Sequence, residues 1–189
     1  MIGHATVVAV RKRHCFEMNS TRVVLPIVIG IDPGTARLGY GIIQDGERLA
    51  ALAYGVVETA PHQPMEQRLL TLYQELDMLF TQYRPQALAL EQLFFARNVT
   101  TALAVGQARG IALLVSAQHQ VPVFEYKPAE IKQAIVGYGR AEKRQMQEMT
   151  RILLGLPDIP RPDDAADALA IALCHLQHAR FTARVRNDV

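Results

Sequence analysis

Val23-Val24-Leu25-Pro26-Ile27-Val28-Ile29-Gly30-Ile31-Asp32-Pro33-Gly34 is a nearly continuous apolar run that ends on one acid and turns at once through Pro-Gly. A run of this kind, closed by turn residues, reads as a buried strand, so Asp32 stands at a strand tip. Ala87-Leu88-Ala89-Leu90-Glu91 repeats the arrangement, apolar until its last residue. Asp164 and Asp167 lie three residues apart at the start of the final helical segment. A carboxylate at the mouth of an apolar strand loses hydration, and several brought together repel one another, so a cation is expected between them. Carboxylate oxygens suit magnesium or manganese, and two ions about 4 Å apart can clamp the attacking and leaving oxygens of a phosphodiester. The pattern points first to a metal-dependent nuclease with two Mg2+ per site, for which Mn2+ can substitute.

Outward from this strand, residues 23 to 31, 38 to 44 and 49 to 59 read as an antiparallel meander, with Asp45-Gly46 as a hairpin signal. Met65, Leu69, Leu72, Leu76 and Leu79 recur at spacings of three and four, which predicts an amphipathic helix over one sheet face. The strand over 87 to 91 should be covered on both faces and pair parallel with the first. A helix from Asn98 to about His119, a fifth strand over 121 to 126, helices opening at Lys127-Pro128 and Glu142, and a last helix from Asp163 to about Arg180 complete the pattern. The expected fold is α/β: a five-stranded mixed sheet, three antiparallel strands then parallel ones, with helices on both faces.

At 189 residues and 50% hydrophobic content the chain suits one domain, over 23–180, and leaves no room for a second catalytic domain. Residues 1–22 show no period and are expected to be a flexible extension, as is the tail 181–189. No apolar core follows Arg11-Lys12-Arg13 as a signal peptide requires, and Met18 is a candidate start. Gly106, Gln107 and Arg109 break the most apolar helix, so no membrane span is expected. Cys15 and Cys174 are too few for a disulfide framework, which favours a reducing cytoplasm. The net charge of +2 identifies no partner, yet residues 127–151 carry Lys127, Lys132, Arg140, Lys143, Arg144 and Arg151 against Glu130, Glu142 and Glu148. That is either a solvated helical face or a rim for phosphates.

Ile29-Gly30-Ile31-Asp32-Pro33-Gly34, Leu90-Glu91-Gln92-Leu93-Phe94, Gly106-Gln107-Ala108-Arg109-Gly110 and Asp164-Ala165-Ala166-Asp167-Ala168-Leu169-Ala170 together resemble the RuvC-type Holliday junction resolvases. The resemblance runs from about Val23 to His178. It implies a ribonuclease H-like fold, a cytoplasmic homodimer, and hydrolytic nicking of four-way DNA junctions at two symmetry-related sites in recombination and repair. It also implies a partner in the branch-migration motor of the Ruv system. Its metal-binding and catalytic carboxylates fall on Asp32, Glu91, Asp164 and Asp167. Spacing alone leaves Asp163 and Asp164 equally placed beside Asp167; the motif selects Asp164 and leaves Asp163 as a helix cap.

Within that resemblance Lys143 is the first candidate to meet the scissile phosphate and Lys132 the second, with Arg140 and Arg144 as further DNA contacts. Phe94 is expected to be exposed, where an aromatic can stack on unpaired bases, and Phe95 buried. The helix from Asn98 is apolar over much of its circumference, and Gly106 and Gly110 would admit a second helix, which suggests a homodimer seam. His175 and His178 read as partly exposed residues away from the metals. Three alternatives accompany this reading. Asp32-Pro33-Gly34-Thr35 also fits a sugar-kinase phosphate turn, but the chain is too short to enclose ATP. A ribonuclease H-like nuclease acting on structured ribosomal precursor RNA, and a catalytically silent junction-binding protein, are the others.

Overall fold

In the computed structural model, residues 8–9, 25–92 and 99–187 are described, and they form a mixed sheet with helices on both faces. The strands are β1 (Val8–Ala9), β2 (Ile27–Asp32), β3 (Arg37–Gln44), β4 (Ala50–Glu58), β5 (Ala87–Glu91) and β6 (Val123–Tyr126). The helices are α1 (Met65–Tyr83), α2 (Val99–Gln118), α3 (Pro128–Val136), α4 (Lys143–Leu153) and α5 (Asp163–Asn187). Strand order is β1-β4-β3-β2-β5-β6, antiparallel from β1 to β2 and parallel from β2 through β5 to β6. The five expected strands are all present. Val8–Ala9 adds a short sixth at the β4 edge, inside the stretch read as a flexible extension; the remainder of 1–22 lies outside the described residues.

Alternation along β2 divides the core. Ile29 and Ile31 point to a cluster with Leu72, Leu76 and Phe80 of α1 and with Ala108, Ala112 and Val115 of α2. Val28 points the other way, to the cluster that contains α3, α4 and α5. Asp32, an even number of residues from Val28, therefore shares the α5 face. So does Glu91, which follows Ala87 and Ala89 of that same cluster by steps of two.

Three glycines let α5 settle on the strands. A Cβ added at Gly30 would lie 2.1 Å from the Ala168 carbonyl oxygen, one at Gly39 2.1 Å from that of Asp164, and one at Gly41 2.7 Å from the Leu169 nitrogen. Gly30 pairs with Gly41, and Gly39 with Asp32, so the stripe runs to the end of the sheet that carries Asp32. α5 also outlasts the expected stop at Arg180 and continues to Asn187. Burial ends near Leu176, with exposed residues following, but the sequence beyond holds neither glycine nor proline to break the helix. Residues 181–187, read as a flexible tail, are helix.

Candidate active site

β2 and β5 run parallel with Ile31 beside Leu90, so the next residues, Asp32 and Glu91, stand side by side at the carboxyl end of the sheet. The turn after Asp32 is pinned from behind. Thr59 Oγ1 donates to the buried Thr35 carbonyl at 2.6 Å, and Arg68 Nε donates to Thr59 Oγ1 at 2.8 Å. Gly39 brings the first turn of α5 down on the same edge, which places Asp167 across from both strand acids.

Asp32, Glu91 and Asp167 line a cavity of about 310 Å3 together with Lys132, Lys143 and an apolar wall that includes Ile131, Met146 and Ile171. Asp164 is not part of that lining; its charge is felt at Asp32, but its carboxylate meets Arg37. A larger hollow of about 630 Å3 lies at the opposite end of the sheet, but its one acid, Asp45, is paired with Arg180. Charge rather than size marks the site.

The electrostatics record crowding. Burial, then the charges of Asp167, Asp164 and Glu91, push the Asp32 carboxyl up to about 7, against the pull of Lys143. Burial and Asp167 raise Glu91 against the pull of Lys132. Asp167 is raised chiefly by burial, partly offset by Lys143. Burial does most of this at all three acids, and at Asp32 and Glu91 the like charges of their neighbours add to it.

Lys143 opens α4, whose first turn is closed by the Glu142 N–H donating to Gln145 Oε1 at 3.0 Å. Its Nζ lies 3.2 Å from Asp167 Oδ2 and 3.3 Å from Asp163 Oδ2. Burial works against this ammonium's charge, yet the two aspartates keep its pKa above the ordinary lysine range. Asp163 also accepts from Gln147 Nε2 at 2.9 Å and lies 3.5 Å from Arg161 Nη1. The lysine first, then Gln147, hold its carboxyl below the usual range. Its side chain thus ties α5 to α4, and Asp163 is the first helical residue rather than the cap, with the preceding Pro162 carbonyl accepting the first helical hydrogen bonds from the Ala165 and Ala166 N–H groups. Among the described residues no three acidic, histidine or cysteine side chains are drawn together closely enough to hold a metal ion unaided.

Lys132 lines the cavity, whereas Arg140 and Arg144 are exposed and outside its lining. Phe94 and Phe95 lie outside the described residues, as does Asn98. His175 is not a partly exposed residue: it is 7% exposed, with Nδ1 2.8 Å from the Tyr126 hydroxyl and its ring 4.4 Å from that of Phe124. Burial, then His178, lowers its pKa. The helix hides it because β6 packs there, which helical periodicity does not reveal. Sequence reasoning passed over Arg37, whose Nη1 lies 3.3 Å from Asp164 Oδ2; only the hairpin register beyond Asp32 could have pointed to it.

On α2, Leu103 is 63% and Leu114 49% exposed, and among the described residues nothing lies within 4 Å of a Cβ added at Gly106 or Gly110. These positions form one uncovered apolar stripe. No helix among the described residues is long and apolar enough to cross a membrane.

Residues 28–175 match the model of the family described as crossover junction endodeoxyribonuclease RuvC. The crossover junction endodeoxyribonuclease RuvC of Thermomicrobium roseum is 61% identical over 153 residues, which cover 81% of this chain and 94% of that protein. The RuvC structure of Thermus thermophilus superposes with a TM-score of 0.77 at 39% identity, covering 82% of this chain and 96% of that one. T. thermophilus RuvC in complex with a Holliday junction substrate gives 0.76 at 36% identity, with the same coverage. The strand order, the acids gathered at one sheet edge and these likenesses lead to one assignment: the chain belongs to the RuvC family of crossover junction endodeoxyribonucleases.

Proposed function

We propose that this chain is a divalent-cation-dependent endonuclease that resolves four-way DNA junctions by paired symmetric nicks in recombination and repair. The observation that carries the chemistry is the pocket shared by Asp32, Glu91 and Asp167, where burial and the neighbouring carboxylates push the Asp32 carboxyl well above the ordinary range. The observation that carries the substrate is the T. thermophilus relative solved on a Holliday junction.

The chemistry of the donors fits magnesium, although in this structure the acids are not drawn together around a common point. The donor set is all oxygen, and it is an open edge rather than a closed cage, as suits an ion that keeps several waters and substrate oxygens in its shell. Asp32, Glu91, Asp164 and Asp167 would hold it. When bound, magnesium, as two ions per site or with manganese in its place, supplies a polarised water for attack on phosphorus and neutralises the departing 3′ oxygen. The chain's own residues do the rest. Lys143 leaves its aspartate partners to face the charge gathered on phosphorus, Lys132 holds the second rim position, and Ile131, Met146 and Ile171 limit water. Arg140, Arg144 and Phe94 are assigned to DNA contacts, the last by stacking. The products carry 5′-phosphate and 3′-hydroxyl ends.

The uncovered stripe of α2 supports a homodimer, since a two-fold assembly matches two equivalent nicks. A branch-migration motor as partner and a cytoplasmic setting belong to the same reading. The test is magnesium-dependent nicking of a synthetic four-way junction by the natural chain and by Asp32→Asn, Glu91→Gln and Asp167→Asn. Symmetric nicks that vanish in each variant while junction binding persists are expected. Faster cleavage of structured RNA than of junction DNA, or binding with no nicking in any divalent ion, would transfer the chain to one of the alternatives.

A further inference from the structure

The acid edge has two flanks. Strand order sets β5 and β6 on one side of β2, with Lys132 and Lys143 facing the pocket there, and β3 on the other. Among the described residues the β3 flank carries one basic residue at the site, and the reaction described above does not use it. Arg37 opens β3 opposite Glu58 at the end of β4. Its guanidinium bridges two carboxylates on different elements, with Nε 3.2 Å from Glu58 Oε1 and Nη1 3.3 Å from Asp164 Oδ2. The arginine side chain is 49% exposed, so the bridge contributes little to stability and exchanges readily. Nor is it needed to seat α5, because Gly39 already lets backbone meet backbone at Asp164.

Arg37 therefore sits where two demands compete. Asp164 cannot offer Oδ2 both to a guanidinium and to a divalent ion without setting two cations against each other. A guanidinium has donors to spare, however, and can keep Glu58 while it grips a phosphate. We propose that Arg37 is a further positioning residue of this site: it is the counter-cation of Asp164 in the ion-free chain, and it passes to a backbone phosphate on the β3 flank, opposite Lys143, once a divalent ion takes the carboxylates. This rests on the nuclease reading, and it gives the pocket a cationic contact for DNA on each side.

The test uses the full chain and Arg37→Gln. Without DNA, Mn2+ titrated by electron paramagnetic resonance should bind Arg37→Gln roughly threefold or more tightly, because a competing cation has gone. With four-way junction in Ca2+ over a salt series, Arg37→Gln should bind more weakly at low salt, and its slope of log affinity against log salt should be shallower by about one per site. Both changes are required. Mn2+ affinity that is equal or weaker in the variant, or a salt slope equal to that of the natural chain, overturns the proposal. A natural chain that takes Mn2+ but no junction overturns the nuclease reading instead, and the Mn2+ comparison still decides whether Arg37 is the counter-cation of Asp164.

Discussion

Where α5 crosses β2 and β3, three glycines let main chain touch main chain, whereas the two glycines of α2 face none of the described residues. The same residue type serves closeness in one place and leaves a vacancy in the other. At the α5 contact, the approach places the first helical turn, with Asp164 and Asp167, within reach of Asp32 and so sets the charge density of the site. At α2 the absent side chains do nothing for the fold of a single chain. They matter only if another surface arrives.

The sharpest way to break the contrast is to fill the close contact. Gly30→Ala puts a methyl group against the Ala168 carbonyl and the Ala172 nitrogen, backbone atoms that cannot swing aside. We expect a loss of about 3 kcal/mol or more in urea unfolding, with cleavage lost as Asp167 is displaced. Unchanged stability would mean that α5 rides higher on the sheet than described.

Asp32→Asn tests the electrostatic consequence of that contact. The folded chain holds the Asp32 proton up to about pH 7, against 3.8 for the ordinary side chain. It thus binds the proton more tightly than the unfolded chain does, and the stability this confers is complete below pH 4 and is lost as pH rises towards 7. The variant, which carries no charge, should be more stable than the natural protein by on the order of 2–4 kcal/mol at pH 8 in EDTA. At pH 4 the gain should vanish. A gain that does not vary with pH would assign it to packing, and added magnesium should narrow the gap.

Further along α5 the packing is made by side chains, and the expected effect is smaller. Tyr126→Phe leaves the buried Nδ1 of His175 without its hydroxyl partner, at a cost of about 1–2 kcal/mol in thermal or urea unfolding; no loss would require another partner to take over. The smallest effect belongs to α2. Gly106→Ala should raise the stability of the monomeric chain by about 0.5–1 kcal/mol and, on the homodimer reading, shift sedimentation towards monomer. A destabilised monomer would reveal a neighbour that the described residues do not show.

The placement of the acids was legible because a lone carboxylate closing an apolar strand is hard to explain by packing, and the α5-face position of Asp32 and Glu91 follows from strand alternation. The strand order followed from the meander and from the short apolar segment over 87 to 91. The seat of α5 was not legible, because Gly30, Gly39 and Gly41 belong to two strands and form a stripe only after the hairpin register is set. Attention went instead to Gly106 and Gly110, whose spacing is visible within one helix. Arg37 escaped notice because a strand-initial arginine is ordinarily solvated, and its meaning depends on Asp164, far along the chain. The length of α5 was underestimated because the apolar period stops where burial stops, while helical propensity carries on.

One consequence follows from the order of the chain. α5 supplies Asp164 and Asp167 and completes one of the two cores, yet it is translated after every strand has been made. A growing polypeptide on the ribosome thus has a half-clothed sheet and, on the proposed reading, only two of the four acids that would hold the ion. Cutting ability arrives together with the finished fold.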